Sequence, residues 1–64
     1  MSNSGNEGID LLLVEDDEDF SMALESRLVK RHFIVTRAVS AEEGLEKVRS
    51  GDFKVILVDI KLPG

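Results

Sequence analysis

The chain has no cysteine, tryptophan or tyrosine, and only one proline and one histidine among its 64 residues. Without cysteine, neither disulfides nor thiolate-bound zinc can stabilise the fold. No run approaches the ~18 apolar residues of a membrane helix, so we expect no membrane association. Residues 1–8 have neither a basic nor an apolar region, so we expect a disordered N-terminal segment there and a cytoplasmic location.

Basic residues are also scarce, and they are missing from the first part of the chain. The formal net charge is −5, and all eight lysines and arginines lie at or beyond Arg27. Of the thirteen acidic residues, eight lie between Glu7 and Glu25. An acidic segment repels nucleic acid phosphates, so we expect this segment to make no direct nucleic acid contact.

Two short apolar runs end in carboxylates. Leu11 to Val14 is followed by Glu15 and Asp16, and Val55 to Val58 is followed by Asp59. Continuous apolar runs of this length are typical of strands that are buried on both faces of a parallel sheet. A chain of this size buries only about 60% of its unfolded surface, so we expect the sheet to be incomplete or to be completed by association.

Helical patterns alternate with the predicted strands. The first helix is expected from Asp17 to about Arg31, where the apolar residues Phe20, Leu24 and Leu28 recur every four positions. The second helix is expected between a capping box at its start and a glycine at its end. Its capping box consists of Ser40 and Glu43, and the terminal glycine is Gly51. The strands are expected at 9–14, 33–38 and 54–59.

This β-α-β-α-β order predicts a doubly wound parallel α/β sheet. The second strand is diluted by polar residues, which suits an edge, so right-handed crossovers give the strand order 2-1-3 with the two helices on opposite faces. The carboxyl ends of strands one and three then meet at a topological switch point, where open α/β sheets bind ligands. We expect Glu15, Asp16 and Asp59 to meet there.

Three carboxylates at one point either have raised pKa values or share a cation. An oxygen-only cluster suits Mg²⁺, and a carboxylate beside that ion can accept a phosphoryl group. Each of these acidic residues also has a plainer interpretation. Asp17, Glu18 and Asp19 suit the first turn of a helix. Glu15 and Asp16 could serve in capping or face solvent, and Asp59 could simply form a turn. A Mg²⁺-dependent hydrolase is less favoured, since no base or electrophile other than the carboxylates is present. We assign His32 no role.

Three segments resemble receiver domains of two-component response regulators. They are Leu12-Leu13-Val14-Glu15-Asp16-Asp17, the stretch Ala38 to Leu45, and Val55-Ile56-Leu57-Val58-Asp59-Ile60-Lys61-Leu62-Pro63-Gly64. The resemblance spans 9–64 and implies a flavodoxin-like fold of which only the first half is present, a truncated receiver domain. It implies that a histidine kinase or phosphotransfer protein is the partner of the full-length parent, and that the segment is not an enzyme in its own right.

The resemblance also assigns roles to individual residues. Asp59 is the implied phosphoacceptor, and Glu15 and Asp16 are the implied acidic pair that holds Mg²⁺. Asp16 would bind the ion directly and Glu15 through water, while Lys61 would offer its backbone carbonyl. The hydroxyl residue, lysine and switch aromatic of a complete receiver domain lie beyond this segment.

An alternative function therefore stays open. A half-receiver could act only by self-association or by binding a partner, without phosphotransfer. Strand three would lie at a sheet edge, and Val55 to Val58 carries neither a charge nor a proline to protect that edge. We expect two copies to form a homodimer by pairing these strands.

Overall fold

A computed structural model of the chain describes residues 8–59. It contains five elements in the predicted order: β1 (Ile9–Glu15), α1 (Glu18–Lys30), β2 (Phe33–Ala38), α2 (Ala41–Ser50) and β3 (Val55–Asp59). Strand β1 is one residue longer than predicted and β3 one residue shorter. Apart from Gly8, the segment predicted to be disordered lies outside the described residues, as do Lys61 and the sequence that follows it.

The three strands form one parallel sheet in the order β2-β1-β3, which confirms the predicted topology. Strand β1 lies in the centre, where Leu13 is opposite Arg37 of β2 and Leu57 of β3. The architecture is the expected half of a flavodoxin-like α/β fold. Neither helix in the described part of the chain is long and apolar enough to cross a membrane.

The two helices cover opposite faces of the sheet. Helix α1 is joined to β2 by an ion pair in which Arg37 Nε lies 3.1 Å from Glu25 Oε1. Helix α2 lies against Val14, so closely that a Cβ on Gly44 would come within 2.8 Å of Val14 Cγ2. Because alternate strand residues point to opposite faces, Val14 faces α2 whereas Leu13 and its partner Arg37 face α1.

The core is centred on β1. Its residues from Leu11 to Glu15 are all buried, and so is Ala38 of β2. Both helices pack closely against β1 and β2, and within residues 8–59 the backbone of neither helix comes close to β3. As a result Val55 to Val58 are 38–59% exposed, although their composition is that of a buried strand.

The apolar stripe predicted for α1 is only partly buried. Phe20 is 47% exposed and Leu24 and Leu28 are half-buried, whereas the buried α1 residue is Ser21. A small residue allows the helix axis to approach the sheet closely. The pattern predicts the helix correctly but not which of its side chains is buried against the sheet.

The predicted helix starts are confirmed by their caps. Asp17 Oδ1 accepts a hydrogen bond from Phe20 N at 3.1 Å, so Asp17 is the N-cap of α1. In α2, Ser40 Oγ accepts from Glu43 N at 3.1 Å while Glu43 Oε1 accepts from Val39 N at 2.9 Å. This reciprocal pair is the predicted capping box. Gly51 is the C-cap of α2 but has an extended backbone (φ −127°) rather than the left-handed one expected of a terminal glycine.

Candidate functional site

Two carboxylates lie side by side where β1 and β3 end. Glu15 is the last residue of β1 and is opposite Asp59, the last residue of β3. Both lie on the face of the sheet that α1 covers, because both are an even number of residues from Leu13 or its partner Leu57. The parallel register therefore brings together two of the three acidic residues that the sequence places at this edge.

Glu15 is fully buried, with 0% of its surface exposed. Its Oε2 accepts a hydrogen bond from the backbone N–H of Asp17 at 2.8 Å. Its Oε1 has no hydrogen-bond partner among residues 8–59. A buried acceptor without a partner is costly, and such groups in native proteins usually meet water or an ion.

The other two acidic side chains are open to solvent. Asp16 follows β1 directly and is exposed, and Asp59 is exposed as well. Asp17 turns away from this edge to cap α1, and Glu18 and Asp19 lie in the first turn of that helix, as the plainer interpretation of these acids predicted. The site is thus one buried carboxylate flanked by two accessible ones.

The surroundings of Glu15 change the pKa of its carboxyl group. The hydrogen bond from the Asp17 amide lowers the pKa of Glu15, but burial and the neighbouring carboxyl groups of Asp16 and Asp59 outweigh it. The net result is that the pKa of Glu15 is raised, since its charged form is desolvated and repelled by like charges. A cation at this edge would relieve both effects.

The donor atoms suit Mg²⁺ in kind, because they are all hard oxygens. One of them, Glu15 Oε1, is buried and has no hydrogen-bond partner in the described range 8–59. Within 8–59, however, no three acidic or histidine side chains lie close enough together to hold a metal ion as they stand. The fourth predicted ligand, the Lys61 carbonyl, is outside the described residues. The metal assignment of Glu15, Asp16, Asp59 and Lys61 therefore stays a prediction.

The complete burial of Glu15 is not among the sequence-based expectations, although a signal for it exists. Side chains alternate along a strand, so extending β1 by one residue places Glu15 on the same face as Leu11 and Leu13. That face is covered by α1. The distinction between a buried Glu15 and an exposed Asp16 follows from this alternation.

Comparison with known proteins identifies the family. The sequence model of the response regulator receiver domain family matches residues 11–64 of this chain. The chain therefore belongs to the receiver domain family of response regulators, in agreement with the resemblance of its motifs. No solved structure matches the chain significantly.

Several curated proteins are similar to this chain. The transcriptional regulatory protein AfsQ1 of Streptomyces coelicolor is 41% identical over 54 residues, which are 84% of this chain and 24% of AfsQ1. The transcriptional regulatory protein DltR of Streptococcus agalactiae is 34% identical over 53 residues, 83% of this chain and 24% of DltR. The uncharacterized transcriptional regulatory protein YcbL of Bacillus subtilis is 36% identical over 52 residues, 81% of this chain and 23% of YcbL. The chain thus spans about a quarter of the length of these relatives.

Proposed function

We propose that this chain is the phosphoacceptor part of a two-component response regulator and takes a phosphoryl group on Asp59. The observation that carries the proposal is the register that places Asp59 opposite the buried Glu15 at the end of a parallel sheet. Asp59 is exposed, so a phosphodonor can reach it. The pairing of β3 with β1 holds the backbone of Asp59 in position.

The reaction uses Asp59 as a nucleophile. A carboxylate oxygen of Asp59 forms a bond to phosphorus while the bond between phosphorus and the leaving group of the donor breaks, which gives an aspartyl phosphate. The carboxylates of Glu15 and Asp16 place negative charge beside the phosphoryl group on Asp59. When bound there, Mg²⁺ supplies positive charge that offsets the phosphoryl oxygens. We propose that Asp16 and Asp59 offer it carboxylate oxygens, Glu15 a contact through water, and Lys61 its backbone carbonyl.

The proposed partner is a histidine kinase or phosphotransfer protein that supplies the phosphoryl group to a longer parent chain in the cytoplasm. Three similar proteins carry "transcriptional regulatory protein" in their names, which supports a transcriptional output for such a parent. We expect that output to reside outside this segment, because its net charge of −5 disfavours contact with DNA. The segment itself acts as an acceptor and not as an independent enzyme.

Divalent cation binding is the first test. Calorimetric titration with Mg²⁺ is expected to give a saturable heat with the wild-type chain and none with Asp16→Ala, because the exposed Asp16 carboxylate is a proposed direct ligand. Asp52→Ala is the matched control: Asp52 is also an exposed aspartate, but it lies in the connection between α2 and β3. Equal heats for wild type and Asp16→Ala would contradict the metal assignment.

Phosphorylation is tested with acetyl phosphate and Mg²⁺, followed by intact mass. In a parent chain of the relatives' length, we expect one phosphoryl group, lost in Asp59→Asn and retained in Asp52→Asn. In the 64-residue chain, we expect little or no stable aspartyl phosphate, because half of the usual surroundings of the phosphoryl group lie beyond it. A label that persists in Asp59→Asn would refute the assignment of Asp59 as the acceptor. A long-lived label on the 64-residue chain would refute the expectation that a stable aspartyl phosphate needs the rest of the receiver domain.

A second candidate function is self-association through β3, without phosphotransfer. It is favoured by the exposure of Val55 to Val58, which no helix within 8–59 covers. Strand β3 is also an edge of the described sheet. An unprotected apolar edge of this kind recruits another strand.

A further inference from the structure

Asp17 connects the acidic end of the sheet to the start of α1. Its backbone N–H donates a hydrogen bond to Glu15 Oε2 at 2.8 Å, and its side-chain Oδ1 accepts one from Phe20 N at 3.1 Å. Its carbonyl oxygen accepts from Ser21 N at 2.9 Å, which is the first hydrogen bond of the helix. The amide, the side chain and the carbonyl of Asp17 are therefore all engaged, one with the buried carboxylate and two with α1.

The helix cap and the hydrogen bond to Glu15 depend on one backbone conformation. Asp17 has φ −90° and ψ 110°, the extended values of an N-cap residue, and its side-chain hydrogen bond to α1 holds them. Rotation about φ turns the N–H of a residue relative to its side chain. A residue at position 17 that leaves the cap conformation therefore also turns its N–H away from Glu15 Oε2.

Asp16 lies between two anchored residues. Before it, the fully buried Glu15 ends the central strand opposite Asp59. After it, Asp17 is held by the first turn of α1. The side chain of Asp16 is open to solvent, but its backbone is fixed on both sides. The cap of α1 thus determines where the carboxylate of Asp16 is presented relative to those of Glu15 and Asp59.

We propose that Asp17 is a positioning residue for Mg²⁺ binding and that it acts through its helix cap rather than through its charge. The role rests on the metal assignment of the proposed function and adds a residue that is not itself a ligand. Binding of Mg²⁺ demands near-ideal octahedral geometry, so a small displacement of Asp16 or Glu15 weakens it. Loss of a residue that orients metal ligands typically costs about 10–100-fold in metal affinity.

Other roles for Asp17 make different demands on its side chain. A role through negative charge would survive in Asp17→Glu, which keeps the carboxylate, and would be lost in Asp17→Asn. The capping role has the reverse requirement, because asparagine caps a helix as well as aspartate does and glutamate is not a favoured N-cap. A role in helix stability alone would leave the Mg²⁺ affinity of every folded variant unchanged.

Calorimetric titration with Mg²⁺ distinguishes these roles at a temperature at which far-UV circular dichroism shows each variant to be folded. We expect the dissociation constant to rise at least about tenfold in Asp17→Ala and Asp17→Glu, and to stay within about threefold of wild type in Asp17→Asn. If Asp17→Ala does not fold, Asp17→Gly replaces it, because glycine weakens a helix start much less than alanine does.

The cap of α2 provides the matched control. Ser40 Oγ accepts from Glu43 N at 3.1 Å, the same distance as in the cap of α1. Ser40→Ala should therefore lower the thermal midpoint as Asp17→Ala does, but it should leave the Mg²⁺ affinity at the wild-type value.

Amide hydrogen exchange supplies a measurement that needs no metal. The protection of the amide at position 17 is compared with that of Leu13 in the central strand, so that a change in global stability cancels. This ratio should fall several-fold in Asp17→Ala and Asp17→Glu, because the hydrogen bond to Glu15 Oε2 is lost. It should be retained in Asp17→Asn and in Ser40→Ala.

The outcomes separate the positioning role from the metal assignment. A wild-type chain that gives no saturable heat contradicts the metal assignment itself. A wild-type chain that binds Mg²⁺ no better than folded Asp17→Ala or Asp17→Gly overturns the positioning role alone, and so does an unchanged exchange ratio. Binding that is lost in Asp17→Asn but kept in Asp17→Glu would show that Asp17 acts through its charge. Affinity and protection that are both kept only in Asp17→Asn support the proposal.

Discussion

Replacing Leu13 by alanine is expected to unfold most of the chain. Leu13 lies in the central strand with 0% of its surface exposed, between β2 and β3 and beneath α1. Truncating a buried leucine to alanine costs about 2–5 kcal/mol, from lost burial and from the cavity left behind. A single core in a chain of this size rarely supplies more than about 3–5 kcal/mol, so the loss is comparable with the whole free energy of unfolding.

The sheet itself provides a matched control. Leu57 is the direct neighbour of Leu13 in the parallel register and lies on the same face, yet it is 38% exposed. Leu57→Ala in dilute solution should therefore cost clearly less than Leu13→Ala. Urea denaturation followed by circular dichroism measures both. Equal losses would mean that the core extends over β3 as fully as over β1, contrary to the greater exposure of Leu57.

The order of elements and the sheet topology could be predicted from the sequence because they depend on local signals. Ser40 and Glu43 form a capping box whose geometry is set by residues three apart, and the structure contains it as predicted. The polar dilution of β2 correctly placed that strand at an edge, and the handedness of crossovers then fixed the rest. The position of Asp59 beside Glu15 follows from the same rules, since parallel strands end at the same edge of a sheet.

Burial was harder to predict because it depends on which surfaces the helices reach. Val55 to Val58 have the composition of a buried strand but are exposed, and Phe20 belongs to an apolar stripe that is only partly covered. A hydrophobic pattern indicates a surface that can be buried. It does not supply the neighbour that buries it, and in 8–59 neither helix extends over β3. The same limitation applies to the site, where the sequence groups Glu15 with Asp16 but the structure buries only Glu15.

Replacing the buried Glu15 is expected to have the opposite effect on stability from truncating Leu13. Glu15→Gln should stabilise the chain at neutral pH, because it removes a desolvated charge beside Asp16 and Asp59 whose pKa is raised. The glutamine oxygen can still accept from Asp17 N, as Glu15 Oε2 does at 2.8 Å. Its amide group takes the position of Oε1, which has no partner within 8–59, and can donate to a neighbouring carboxylate.

Because the pKa of Glu15 is raised, the effect of Glu15→Gln on stability should depend on pH. A carboxyl group with a raised pKa in the folded state binds its proton more tightly there than in the unfolded chain, where glutamate has a pKa of about 4.3. The contribution of Glu15 to stability is therefore most favourable below that value, and it declines as the pH rises through the raised folded pKa. In Glu15→Gln this component disappears, so the difference in stability between variant and wild type should grow from acidic to neutral pH.

Thermal or urea unfolding at several pH values measures the difference. Glu43→Gln is the control: Glu43 also accepts a backbone hydrogen bond, from Val39 N at 2.9 Å, but it is only half-buried and lies 3.9 Å from Lys47 Nζ. Its variant should show no gain at neutral pH. Saturating Mg²⁺ should narrow the gap between Glu15→Gln and wild type, because a cation at this edge offsets the charge that the substitution removes. A Glu15→Gln variant that is less stable than wild type at neutral pH without Mg²⁺ would show that the charge of Glu15 is compensated within the chain itself.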